Sequence, residues 1–200
     1  MSNAMPDEKE CVRILQEEGC RPNIIQHVCT VRLIAVELAR RSGADLALVK
    51  AGALLHDIGR GKTQGIFHVV EGVRIARQRE LPERLIKVIQ RHIAAGFTRE
   101  EVKALGLPDG DYMPETLEEK IVCHADNLVK GPSGMLTLAE AEEEMLRRGH
   151  DATAERMKAM HSELSKVCGV DVDELVKHLR KRPEITGPCA AYAGQPGIRP

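Results

Sequence analysis

Apolar residues recur every three to four positions along most of this chain, a spacing that a helix can bury on one face and a strand cannot. Ile24, Val28, Val31, Ile34, Ala35 and Leu38 form one such stripe between Asn23 and Arg41, opened by Pro22 and stopped by Gly43. Asp45 stands as a cap before Leu46, Val49, Ala53 and Leu54. Thr98-x-x-Glu101 and Thr116-x-x-Glu119 have the form of capping boxes, and Asp171-x-x-Glu174 is a similar start. The same signals predict helices from Asp7 to Glu18, Phe67 to Arg79, Glu83 to Ala94, Leu138 to Arg148, Ala152 to Val167 and Val172 to Lys181. Residues 60–65 and 107–114, with their glycines and prolines, read as loops. No stretch reads as a strand, so the expected class is all-α.

Two hundred residues suit one domain with an appended helical piece. The 29 basic and 30 acidic residues nearly cancel, and only 2% of residues are aromatic, with no Trp. That balance gives no sign of a nucleic-acid partner, either as a basic footprint or as stacking platforms. No run of about 18 apolar residues exists to span a membrane, and a cytoplasmic protein is expected. Cys11, Cys20, Cys29, Cys123, Cys168 and Cys189 include no Cys-x-x-Cys pair and are expected as reduced thiols. Residues 1–5 read as an expression remnant, and the Pro- and Gly-rich residues 183–200 as a tail.

The chemistry concentrates where the third helix ends, at Leu54-Leu55-His56-Asp57-Ile58-Gly59. A His-Asp dipeptide alone means little, because His150-Asp151 is another, with Asp151 better read as a helix cap. The first pair has company. His27 and His92 project from the apolar stripes of their helices, and Asp126 lies on the buried side of its own. A buried carboxylate needs a cation or several donors. His68 opens a helix whose Gly72, one turn on, is expected to leave room for a ligand side chain. His124, about 200° from Asp126 around the helix, is expected to be a hydrogen-bonded core residue, and His161 and His178 surface residues. Arg60 and Lys62 follow the pair on the glycine-rich loop, where they would meet either a phosphate or simply the negative end of a helix.

The order His27, His56-Asp57, His68, His92, Asp126 resembles the HD superfamily of metal-dependent phosphohydrolases, and Leu55-His56-Asp57-Ile58-Gly59 resembles its His-Asp-Ile-Gly variant. Ile121 to Leu128 looks like the family's final aspartate helix. The resemblance implies an HD-type helical bundle over residues 6–130, with residues 131–182 as extra C-terminal helices packed on it. It implies one metal site of His27, His56, Asp57 and Asp126, and a second in which Asp57 bridges to His68 and His92. Mixed imidazole and carboxylate ligands suit Fe, Mn, Co, Ni or Zn, with Mg allowed. The activity implied is hydrolysis of a phosphomonoester or phosphodiester, a small nucleotide above all, by metal-activated hydroxide. Asp57 would position the ions, and Arg60 and Lys62 would hold phosphate. Two alternatives remain: a mixed-valent di-iron oxygenase, and a nucleotide-binding module without turnover. The expected partner is thus a small phosphorylated molecule, and a homo-oligomer is left open.

Overall fold

A computed structural model describes residues 4–181 and 187–192. The fold is all-α, with ten helices among the described residues: α1 (Glu8–Glu17), α2 (Pro22–Ser42), α3 (Leu46–Leu55), α4 (His68–Gln78), α5 (Glu83–Arg91), α6 (Arg99–Ala104), α7 (Leu117–Asn127), α8 (Leu138–Arg147), α9 (Asp151–Cys168) and α10 (Val172–Lys181). The caps act as their chemistry requires. Asp45 accepts from the backbone N–H groups of Ala47 and Leu48, and Thr98 and Thr116 complete reciprocal capping boxes with Glu101 and Glu119.

Helix α3 is the centre of the bundle. Its residues Leu48, Val49 and Ala51 to Leu55 are all buried, so the apolar run before the His-Asp pair is surrounded rather than merely one-sided. It packs against α1, α2, α5 and α7. Gly52 makes two of those contacts close: a Cβ there would stand 2.7 Å from Val88 of α5 and 3.3 Å from Val122 of α7. Helix α2 supplies a second wall through Ile25, Val28, Val31, Ile34, Ala35 and Leu38, and α9 adds Met157, Met160, Leu164 and Cys168 to the same core.

After His56 the chain turns sharply. Asp57 leads into a 3₁₀ turn, Ile58–Gly61, which takes up the start of the expected loop and lies against α4. Gly59 permits that approach, since a Cβ on it would fall 1.9 Å from the His68 carbonyl oxygen and 2.6 Å from the Gly72 nitrogen. Gly72 has the complementary task. A Cβ there would meet Ile89 and Ile58 at 2.9 and 3.5 Å, so its bare Cα closes the packing of α4 on α5 and the 3₁₀ turn, rather than making room for His68.

Several local expectations are corrected. A two-stranded antiparallel hairpin, β1 (Val129–Lys130) and β2 (Gly134–Met135), pairs Val129 with Met135 and Lys130 with Gly134. Two residues per strand are too few for an alternating pattern to register. Helix α5 stops at Arg91, not Ala94, because Ala94 takes a positive φ of 54°. Asp151 is the first residue of α9 rather than its cap. His161 is buried, donating to or accepting from His124 at 3.0 Å, whereas His178 is exposed. Cys29 and Cys189 form a disulfide, so they are not free thiols; the pairing spans 160 residues of sequence and no local spacing foretells it. Cys11, Cys20, Cys123 and Cys168 are free and buried.

Of the expected tail, residues 183–186 and 193–200 lie outside the described residues, as do residues 1–3 of the expected remnant. Gly187–Tyr192 forms a 3₁₀ turn tied to α2 by the disulfide and to α1 by a hydrogen bond between Gln16 and the Tyr192 hydroxyl. Among the described residues no helix is long and apolar enough to cross a membrane.

Replacing Gly59 by Ala should cost about 3 kcal/mol or more, at the upper end of overpacking penalties, because backbone must move. Gly43→Ala, where φ is 74° and the added methyl meets open space, should cost about 1–2 kcal/mol from backbone conformation alone. Urea denaturation of the two variants checks the ranking, and equal losses would refute it.

Candidate metal centre

Five helices and one tight turn deliver six polar side chains to one place. His27 comes from the second turn of α2, His56 caps the C-terminus of α3 with Asp57 next to it, and His68 is the first residue of α4. His92 caps the C-terminus of α5, and Asp126 sits in the last turn of α7. Helix ends are suited to this work, since adjacent residues there need not diverge by the 100° of a regular helix.

Each imidazole is held in one tautomer by the backbone. Nδ1 of His27 lies 2.9 Å from the Gly131 carbonyl, that of His56 2.8 Å from Ala53, that of His68 2.6 Å from Gly65, and that of His92 2.7 Å from Ile89. A carbonyl oxygen only accepts, so in all four rings Nδ1 carries the proton and donates it. In the neutral ring Nε2 is then a bare lone pair. All four Nε2 atoms face the aspartates. His27 Nε2 is 2.9 Å from Asp126 Oδ1 and 3.8 Å from Asp57 Oδ2, and His56 Nε2 lies 3.4 and 3.8 Å from the same two atoms. On the other side of Asp57, His68 and His92 place Nε2 3.0 and 3.7 Å from its Oδ1.

These contacts test whether a metal fits. His68 Nε2 and His92 Nε2 are 3.1 Å apart, and with both Nδ1 atoms protonated two lone pairs oppose each other there. His56 Nε2 and Asp57 Oδ1 are buried with no hydrogen-bond partner. Each such orphan costs about 1–3 kcal/mol, and cations held on the two sides of Asp57 would relieve them. Within the cluster three groups have ligand atoms within 4.8 Å of one another: His27, His56 and Asp57; His56, His92 and Asp126; Asp57, His68 and His92; a fourth, His161, Asp171 and Asp173, lies outside it. The cluster therefore could hold a divalent metal, and clamped Nδ1–H groups are the usual outer support of such ligands.

The electrostatics agree. Burial would raise the Asp57 carboxyl, but the neighbouring His56, His68, His92 and Arg60 hold it well below the usual carboxylate range. Asp126 is lowered in the same way by His56 and His27 against its own burial. Burial would lower His27, yet Asp126 and Asp57 outweigh it and push the group up to about 9, so without a cation Nε2 donates a proton to Asp126 and a metal there would displace that proton. His92, by contrast, is lowered, chiefly by burial.

The cluster forms the floor of a cleft of about 660 Å³, within the range of small-molecule sites. Arg60 lines it, but Nε donates to Asp57 Oδ2 at 2.6 Å, so its first duty is to the carboxylate. Lys62 is not brought to the cleft. Its ammonium pairs with Glu18 at 3.3 Å, outside the lining. Arg91 is buried on Glu119, Glu115 and Asp111 and serves the fold. Sequence reasoning missed Asn23, Asn127, Lys130, Glu144, Arg148 and His150 in the walls. Only Asn127 and Lys130 carried a signal, their place at and just beyond the end of the Asp126 helix; Asn23, Glu144, Arg148 and His150 carried none.

A model of the HD domain family matches residues 24–131. The tRNA (cytidine(56)-2'-O)-methyltransferase of Picrophilus torridus is 45% identical over 176 residues, which are 88% of this chain and 51% of that protein. The same-named protein of Thermoplasma volcanium is 43% identical over 171 residues, 86% of this chain and 50% of that protein. The chain thus spans about half the length of these relatives. Among solved structures, the HD domain of the L. monocytogenes phosphodiesterase PgpH, in complex with cyclic-di-AMP, aligns with TM-score 0.55 at 17% identity. It covers 86% of this chain and 95% of its own, and at that identity the likeness concerns the fold alone.

These relatives overturn the expected function. Proteins so similar over nearly the whole chain are named methyltransferases of a tRNA, not phosphohydrolases of small nucleotides. The reading of the partner as a small phosphorylated molecule, with no nucleic-acid signal, is corrected by the same finding. Its physical weakness was that a ligand set specifies a cation, not a reaction, and that a net charge near zero hides local surplus.

Metal uptake by the purified protein is the direct measurement. At about 100 times its dissociation constant a bound Mn or Ni ion should add about 2.7 kcal/mol, raising the melting temperature by about 5–10 °C. Asp57→Ala, which touches both sides of the cluster, should abolish both the shift and the uptake measured by elemental analysis; an unchanged shift would remove the central role given to Asp57.

Proposed function

This chain belongs to the HD domain family, and from that premise we propose that it serves tRNA 2'-O-methylation as a metal-holding, RNA-binding unit. The observation that carries this reading is the 45% and 43% identity to tRNA methyltransferases over 88% and 86% of the chain. Here His27, His56, Asp57 and Asp126 hold one ion, and Asp57 with His68 and His92 a second. Imidazole and carboxylate together suit Mn, Fe, Co, Ni or Zn. When bound, a divalent ion supplies a fixed positive charge and a Lewis acid to phosphate or ribose oxygens.

The residues of the chain do the binding and orienting. Arg60 keeps the Asp57 carboxylate in place, Asn23 and Asn127 offer polar groups to a nucleoside, and Ile24 and Ile66 give the cleft apolar walls. Phe67 is 47% exposed but lies outside the cleft lining, where its ring could stack a base only of the RNA beyond the bound nucleotide. The methyl-transfer step itself we assign to the half of the relatives that this chain does not span. Once divalent ions are held there, the floor would repel a sulfonium methyl donor and attract a phosphodiester. A tRNA substrate places the protein in the cytoplasm.

Fluorescence anisotropy with a labelled tRNA transcript tests this reading. Binding in the micromolar range at about 0.1 M salt is expected, weakened about 10-fold or more by chelation or by Asp57→Ala, the loss of a charge-assisted contact. The chain alone should transfer no methyl group from S-adenosylmethionine. Failure to bind tRNA at about 100 µM, the weak end of non-specific affinity, would overturn the proposal.

A further inference from the structure

The mouth of the cleft carries a feature that metal binding does not use. Glu144, near the end of α8, receives three cations at once. Lys130 of β1 lies 2.5 Å from Oε2, Arg147 3.3 Å from the same oxygen, and Arg148 2.6 Å from Oε1. The three cations are 58–64% exposed, while Glu144 is only 14% exposed. Lys130 and Arg148 both line the cleft. Hydrogen bonds from Lys130 and Arg148 hold the Glu144 carboxyl down at about 2. One carboxylate thus faces three positive charges, leaving a surplus of two at the opening.

Ordinary stability does not account for this cluster. Exposed ion pairs contribute about 0–1 kcal/mol each, and a helix C-terminus is satisfied by the cations of its own last turn, Arg147 and Arg148. Lys130 arrives from a different element. It is adjacent to Gly131, whose carbonyl fixes the His27 ring, and the hairpin is pinned to α2 by the Thr30 hydroxyl donating to the Pro132 carbonyl. The backbone that carries Lys130 is therefore held beside a metal ligand, and Glu144 links Lys130 to Arg147 and Arg148. The other glutamates of α8 near it are engaged elsewhere, Glu140 with Arg180 and Glu142 with Lys158, and Glu143 is exposed on the same helix.

We propose that Lys130, Arg147 and Arg148 form a phosphate-binding lip, gathered on Glu144 until phosphates replace it, that holds the RNA backbone next to the nucleotide seated in the cleft. The proposal rests on RNA being the partner of the metal site. A polynucleotide with one unit at the cleft floor must leave through the mouth, and its neighbouring phosphates then meet these cations. Two guanidinium forks and an ammonium can each replace a contact to Glu144 by one to a phosphate.

The test is a salt titration of tRNA binding, with the metal-loaded wild type beside two variants. The triple variant Lys130→Gln/Arg147→Gln/Arg148→Gln should lose about 10- to 100-fold in affinity at about 0.1 M salt and reduce the slope of log K against log salt by about 2–3, near 0.9 per lost phosphate contact. Its metal content and melting temperature should match the wild type. Glu144→Gln should bind more tightly, because the cations are freed, an increase that a purely structural role for the cluster does not produce. If wild type binds tRNA but the triple variant keeps its affinity and slope, the lip is refuted while the metal-site reading stands. If wild type does not bind tRNA, both fall. Weaker binding by Glu144→Gln would show that phosphates do not compete with Glu144 for these cations and would refute the proposal as stated.

Discussion

Four imidazole lone pairs are made to converge on one buried carboxylate, and the architecture around the cleft follows from that unfavourable arrangement. In each of His27, His56, His68 and His92 a backbone carbonyl takes the Nδ1 proton, so the electron-rich edge of every ring has nowhere to go but inward. Lone pairs facing lone pairs, and an Asp57 oxygen without a donor, are tolerated only where a cation completes them. Such a site cannot relax without losing its purpose. The scaffold must therefore hold ring positions against electrostatic repulsion.

The bundle does this with backbone rather than with side chains. Three of the four carbonyl clamps belong to residues three positions before the histidine they hold: Ala53, Gly65 and Ile89. The ends of α3 and α5 provide Ala53 and Ile89 without extra residues, because a helix's last carbonyls have no intrahelical partner, and the loop ahead of α4 provides Gly65. The fourth clamp, Gly131, reaches His27 from 104 residues away, which is why the small hairpin is needed. Close approach at Gly59 and Gly72 then locks the 3₁₀ turn after Asp57 onto α4, so His68 is placed by main-chain packing against the turn that carries Asp57. Wrapping α3 in apolar residues on all sides fixes the remaining coordinate, the axial position of His56.

This division explains what was legible in the sequence. Helices with caps and stripes stood out, since each is a local pattern: the boxes at Thr98 and Thr116 opened helices as expected. The six inward side chains were readable as well, because helical phase places His27, His92 and Asp126 on apolar faces and the His-Asp pair ends a buried run. What could not be read depends on distant chain segments. The partner of Cys29 lies at 189, the burial of His161 depends on His124, and Lys62 is drawn off to Glu18 across a gap of 44 positions that no motif marks. Gly72 looked like space beside a ligand and is instead a contact surface for Ile58 and Ile89, a distinction that only the neighbouring helices decide.

The function was misread for a related reason. A set of imidazoles and carboxylates fixes which ions fit, and so constrains charge rather than reaction. The molecule that meets that charge is selected by the walls above it, and here much of the walls comes from residues 127–150, beyond the last ligand. Of those residues, Asn127, Lys130, Glu144, Arg148 and His150 face the cleft, two cations against one carboxylate, although the whole segment carries four glutamates and three basic residues. Averaging over 200 residues erased the feature that matters. A polyanion responds to potential at the cleft mouth within about 8–10 Å of screening length, not to the net charge of the whole. The metal floor and the cationic lip act on the same ligand in the same sense, and an extended phosphodiester satisfies both where a small anion reaches only the first.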